Sequence, residues 1–371
     1  MSRLRKSAAL FGIALLAVAA CGSSSKGATP TTAVTTTTAT TAVASSTAVP
    51  TTGATTTTTA SSATTTADTA NATATTGTAG TSAATTPNTA TSTSSDFSVE
   101  AANGTVTLKA KPVKIVSLSP THTEVLFAIG AGSQVIAVDD QSNYPADALK
   151  VKSNLSGYTP NVEAIAGYKP DLVIISTDTD GLSKQLVALG IPVWVGPAAS
   201  TLDDVYSQIE QLGVLTDHIA GAAGLVGNMK TDIAKIVAGA PKTAAPLTYY
   251  HELDNTLFSV TSKTFIGQLY GMVGLKNIAD GADPGNDYPQ LNAEFVIKAN
   301  PNLIFLADTK CCGESAKTVA GRDGWSTIAA VKNGGVIAMD DDIASRWGPR
   351  IVDYLQAVVD AVKTAAAVPA G

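Results

Sequence analysis

The 371-residue chain is 44% hydrophobic and 15% charged, with a formal net charge of −6. Beyond residue 96, 20 basic side chains face 28 acidic ones. This balance argues against a nucleic-acid partner, whose binders carry basic surfaces. No apolar run of 18 residues follows the N-terminus, which excludes a multi-spanning membrane protein. The three cysteines, Cys21, Cys311 and Cys312, show no CxxC zinc spacing and are too few for a disulfide scaffold.

The chain opens with Arg3, Arg5 and Lys6, followed by an uncharged apolar run from Ala8 to Ala20 that ends in Val18-Ala19-Ala20-Cys21. A positive start and a short apolar stretch read as a secretory signal. The cysteine that closes it resembles a bacterial lipobox, so residues 1–21 are expected to be a lipoprotein signal with a lipidated Cys21. Residues 22–96 hold 31 Thr, no aromatic residue, and only Lys26, Asp68 and Asp96 as charges. Such a segment has too little apolar surface to offset its conformational entropy and reads as a disordered tether. Its r.m.s. span is about 50 Å, from roughly 5–6 Å × √n.

From residue 97 onward the pattern is that of an α/β protein. Ile115–Leu118 reads as a buried strand, Thr121–Ile129 as a helix stopped by Gly130 and Gly132, and Val135–Val138 as a second strand. A short helix over Asn161–Tyr168 leads through Pro170 to a strand at Leu172–Ile175. Ser183–Leu189 is a further helix and Val193–Val195 a further strand. Such alternation predicts βα units and a mostly parallel sheet. Ile219, Ala222, Val226, Met229, Ile233 and Ile236 then mark one face of a long helix over residues 217–238.

The pattern restarts after that helix. The block from Asn161 to Ile175 aligns with the block from Asn292 to Leu306, sharing Asn, Glu, Pro, Leu and the apolar run. This internal repeat predicts two similar lobes, residues 97–216 and 241–371, joined by an interlobe helix within 217–240 and separated by a ligand cleft. Glu163 and Glu294 hold the same place in the two repeats. Each also suits a helix start, where negative charge favours the dipole. No GxSxG or HExxH occurs and the three histidines lie in separate elements, so no catalytic residues are assigned. Asp340-Asp341-Asp342 reads as a solvated turn and not as a metal site.

The lipobox, the tether, Ile115-Val-Ser-Leu-Ser-Pro-Thr-His-Thr-Glu124, the Asn161–Ile175 block, Tyr288-Pro-Gln-Leu-Asn-Ala-Glu294 and Ser345-Arg-Trp-Gly-Pro-Arg350 together resemble the cobalamin and ferric-siderophore binding proteins of ABC importers. The resemblance covers nearly all of residues 110–365. It implies two α/β lobes on a rigid helix, a monomer anchored outside the cytoplasm, and a permease dimer as partner. It also implies a transported metal chelate with no cofactor of the protein's own. Glu163 and Glu294 would dock onto permease arginines. Tyr144, Tyr288 and Trp347 would line the cleft, where flat aromatic faces suit a large planar ligand. Leu155 stands near the place where cobalamin binders carry a Trp, and Tyr158 is a substitute for it. Thr121 and His122, and His251 and Glu252, are expected on matching cleft-facing loops. Arg346 is expected to face the cleft and Arg350 to be structural. In an oxidising compartment Cys311 and Cys312 are a candidate vicinal disulfide, although adjacent Cα atoms, about 3.8 Å apart, are closer than the usual disulfide range and would strain it. A corrinoid is the first expectation for the ligand, a ferric siderophore or haem the second. A secreted enzyme and a bare metal-ion binder are the remaining classes.

Overall fold

The computed structural model describes residues 97–367. The expected lipidated Cys21 and the Thr-rich tether lie outside the described residues. The first lobe begins with an antiparallel hairpin, β1 (Phe97–Ala101) and β2 (Gly104–Leu108). It continues with β3 (Ile115–Leu118), α1 (Pro120–Ala128), β4 (Val135–Val138), α2 (Val162–Gly167), β5 (Leu172–Ile175), α3 (Leu182–Ala188), β6 (Val193–Val195) and α4 (Leu202–Thr216). The helix α5 (Ile219–Ala238) follows. The second lobe comprises β7 (Thr248–Glu252), α6 (Phe265–Met272), β8 (Lys276–Asn277), α7 (Ala293–Ala299), β9 (Leu303–Leu306), α8 (Ala316–Ala320), α9 (Ala329–Lys332), β10 (Val336–Ala338), α10 (Asp341–Ala344) and α11 (Ile351–Ala366).

Each lobe holds a four-stranded parallel sheet. The orders are β4-β3-β5-β6 and β8-β7-β9-β10, so in each lobe the strands run second, first, third, fourth. The internal sequence repeat thus corresponds to a repeat of topology. Every residue of β3, β5 and β9 is buried, as expected of parallel strands covered on both faces.

The long helix starts at Ile219, because Asp217 adopts a left-handed conformation (φ 60°) and ends α4 just before it. Its twenty residues extend about 30 Å. Ala222, Val226, Met229 and Ile233 are buried on it, whereas Ile219 is exposed. These buried residues belong to one apolar cluster with Ile209 and Leu212 of α4 and with Tyr354, Leu355 and Val358 of α11. The joining helix is therefore packed into both halves. Among the described residues no helix is long and apolar enough to cross a membrane.

Candidate functional site

The cleft-facing ends of the two sheets are built from the residues that follow β3, β5, β7 and β9. In open α/β sheets ligands sit at the carboxyl ends of the strands. At the end of β3, Pro120 opens α1, and Thr121, His122, Thr123 and Glu124 are all buried in its first turns. His122 accepts a hydrogen bond at Nδ1 from the Ser119 hydroxyl (2.7 Å) and meets Gln208 Oε1 at Nε2 (2.9 Å). The same Gln208 oxygen accepts from the Trp347 indole (3.0 Å), and the Gln208 amide donates to the Pro197 carbonyl (2.8 Å). Gln208 Oε1 can only accept, so His122 carries its proton on Nε2. Burial lowers its pKa to about 4, so the ring is neutral. The expectation that His122 faces the cleft is thereby corrected: it is a fully buried post with both nitrogens engaged. Thr121 is buried as well.

Glu124 is the centre of the contact between the lobes. Arg346 Nη1 donates to its Oε1 (2.8 Å), Arg350 Nε to its Oε2 (2.8 Å), and Arg350 Nη2 to Oε1 (2.5 Å). Arg346 also donates to Asn143 Oδ1 (2.9 Å), the Gln141 carbonyl (3.1 Å) and Asp342 (2.7 Å). The Arg350 guanidinium lies 4.2 Å from the centroid of the Tyr144 ring. Segment 345–350 is thus a strap from the second lobe anchored in the first. Arg346, expected as a free cleft cation, is nearly buried and fully spent on these acceptors, because Glu124 needs two guanidinium groups to be satisfied away from water.

In the second lobe, His251 and Glu252 are the last residues of β7 and not part of a loop. The strand runs on because His251 and Glu252 pair with Phe305 and Leu306 of β9. His251 Nδ1 accepts from the Tyr270 hydroxyl (2.9 Å), which in turn accepts from Tyr354 (2.5 Å). Burial again lowers the imidazole pKa to about 4. Glu252 is fully buried and held by both Nη atoms of Arg322 (2.7 and 2.5 Å). Both residues are fully buried, which corrects the expectation of an exposed pair on a loop.

The exposed aromatic residues differ from these. Tyr158 is 78% exposed, Tyr288 56% and Tyr144 47%. Tyr158 lines a recess of about 150 Å³ with Leu118, Pro120, Gln141, Thr177 and Thr179, at the ends of β3 and β5. Leu155 is buried in the first lobe's own core. Trp347 is half-buried and set edge-on to His122 at 5.9 Å.

Glu163 and Glu294 are both exposed second residues of short helices, α2 and α7. Asn161 Oδ1 accepts from Ala164 N and Asn292 Oδ1 from Phe295 N, each at 2.8 Å. The two carboxylates therefore leave the two lobes from matching capped helix starts.

Cys311 and Cys312 are free, exposed thiols on the turn after β9, which corrects the disulfide expectation. That turn is held by other means. Asp341 accepts from the backbone N–H of Thr309, Lys310 and Cys311 (2.9, 2.8 and 2.9 Å). Lys310 Nζ bridges Asp340 and Asp342, at 2.8 Å each. The acidic triplet is thus a hydrogen-bonded brace and not a solvated turn. Among the described residues no cluster of His, Cys, Asp or Glu is arranged to hold a metal ion. Gln208, Arg322 and Asp308 were not expected from the sequence, since polar residues outside a repeated motif carry no signal of their own.

Residues 115–343 match the family model described as periplasmic binding protein. An uncharacterised ABC transporter substrate-binding lipoprotein, YvrC of Bacillus subtilis, is 33% identical over 71% of this chain and 84% of its own length. A cobalamin-binding protein of Halobacterium salinarum is 28% identical over 71% of this chain and 72% of its own. Among solved structures, the periplasmic vitamin B12 binding protein BtuF of Vibrio cholerae is 26% identical. It superposes with a TM-score of 0.56 over 69% of this chain and 99% of that one. A possible iron-binding periplasmic protein of Staphylococcus epidermidis is 27% identical, with a TM-score of 0.60 over 68% of this chain and 99% of that one. With two lobes of one topology, a helix packed between them and a family match over more than half its length, the chain belongs to the periplasmic binding protein family.

Proposed function

We propose that this protein is the substrate-binding subunit of an ABC importer and that it carries a near-neutral corrinoid such as cobalamin. The observation that supports this ligand is the state of the arginines. Arg322, Arg346 and Arg350, the three arginines among the described residues, are all bonded to carboxylates. An anionic ferric siderophore or the propionates of haem would call for an unspent guanidinium. The exposed rings of Tyr158, Tyr144 and Tyr288 suit instead a wide, flat, weakly charged ligand, which aromatic faces contact at little entropic cost. The cobalamin-binding relatives agree with this reading.

In this account Glu163 and Glu294 dock the two lobes onto matched cationic sites of a two-subunit permease, each contact fixing register and assisting encounter. Lipidation at Cys21 anchors the monomer outside the cytoplasm and residues 22–96 give it reach. Its task is to hold and deliver a ligand and not to transform one.

Equilibrium dialysis of the full-length chain against cyanocobalamin, haem and a ferric hydroxamate tests the ligand assignment. Retention of cyanocobalamin alone is expected. Retention of haem or the hydroxamate in its place would transfer the assignment to a ferric chelate, the reading favoured by the possible iron-binding relative.

A further inference from the structure

An unusual group of ionisable side chains meets beneath the turn that follows β9. Asp308 is completely buried, and among the described residues neither of its carboxyl oxygens has a hydrogen-bond partner. From β7 it is faced by Tyr250, whose hydroxyl is likewise unpartnered, and by Glu252. The turn contributes the Cys311 thiol and Glu314, and the segment after α8 contributes Arg322. The one cation in this set is already committed. Arg322 holds Glu252 with both Nη atoms and Glu314 with Nη2 (2.8 Å). Were all three carboxyls ionised, a single guanidinium would face three negative charges at a largely buried site. An unpaired buried carboxylate there is far costlier than a solvated one.

Asp308 also supports the turn through its backbone. Its carbonyl accepts from the N–H groups of Cys312 (3.2 Å) and Glu314 (3.4 Å). Glu314 continues the connection to Arg322, and Lys310 ties the same turn to Asp340 and Asp342. Asp342 in turn bonds Arg346 and Asn143 at the contact between the lobes. The state of this one carboxyl therefore bears on the margin of the second lobe.

We propose that Asp308 is a proton-operated latch on the turn from Thr309 to Glu314. Protonated, it is neutral and leaves Arg322 to clamp Glu314 against Glu252, so the turn is held. Losing its proton to solvent, it repels Glu252 and Glu314, competes for the guanidinium and loosens the turn. Burial, reinforced by Glu252 and Glu314, raises its pKa to about 7, so the latch works near neutrality. The turn is firm on the acid side and loose on the alkaline side. This inference is independent of which ligand the cleft accepts.

Backbone hydrogen exchange on the full-length chain tests it, read at the amides of Cys312 and Glu314 and corrected for intrinsic exchange. Between about pH 5.5 and about pH 8.5 protection in the wild type is expected to fall roughly tenfold, while in Asp308→Asn it changes by less than about twofold. Protection that is flat in the wild type, or that falls equally in the variant, overturns the proposal. A carboxyl-carbon NMR titration of the wild type gives an answer even if the variant does not fold. A midpoint above about pH 6 is expected, and one at or below that value overturns the latch.

Discussion

Glu124 shows how a single side chain can join two lobes. It is 2% exposed and receives three hydrogen bonds from Arg346 and Arg350. Removing one partner of a buried ion pair strands the other, at a cost of about 3–5 kcal/mol. Glu124→Ala is therefore expected to lower the unfolding free energy by about 3 kcal/mol in urea denaturation. A loss under about 0.5 kcal/mol would show that the strap does not brace the lobes. At this scale the sequence was only partly legible. Glu124, Arg346 and Arg350 stood in recognisable blocks, but which of them were spent on one another was not visible, because the partners lie more than 200 positions apart. His122 and His251 read as ligand contacts on cleft-facing loops. Their burial follows from partners, Gln208 and Tyr270, that no local pattern announces.

At the scale of elements, the buried runs of β3, β5 and β9 were plain from composition alone, since parallel strands covered on both faces carry uninterrupted apolar residues. Helix α4 has its own signals in the sequence. Thr201 and Asp204 form a capping box, and Val205, Ile209, Leu212 and Leu215 follow at helical spacing. His251 and Glu252 read as loop residues because they are polar, although ladder pairing carries β7 through Glu252. The repeated pair α2 and α7 was legible, and it supports a prediction of its own. Glu163→Ala with Glu294→Ala is expected to leave ligand affinity within about twofold of wild type, since exposed carboxylates with no partner among the described residues contribute little to the fold. Uptake by cells depending on this importer should nevertheless fall at least about tenfold, by loss of two charge-assisted contacts. Unchanged uptake would remove the docking role.

For the whole molecule, the packing of α5 into the shared core and the strap at 345–350 join the lobes at two places. Stability should therefore respond to pH as one unit. The buried His122 and His251 have pKa values lowered to about 4, so they favour the fold above the unfolded value and lose that contribution as pH falls from about 6.5 towards 4. Each is worth on the order of 2 kcal/mol between pH 6.5 and 5, at about 1.36 kcal/mol per unit. Asp308 acts with the opposite sign. Its raised pKa makes its contribution fullest in acid and progressively lost as pH rises through about 7. Asp308→Asn should therefore show a steeper acid loss of stability than the wild type in urea unfolding at pH 7, 6 and 5. Parallel curves would refute the buried state of that carboxyl.

With all three arginines of the described residues spent on carboxylates, a weakly charged corrinoid held between aromatic faces is the proposed cargo. Calorimetric titration of the full-length chain with cyanocobalamin, at low and at high salt, addresses it directly. One-to-one binding is expected with a Kd of about 1 µM or tighter, changing less than about twofold with salt, because neither partner relies on an exposed ion pair. Absence of heat, or an affinity that collapses as salt is raised, would contradict it.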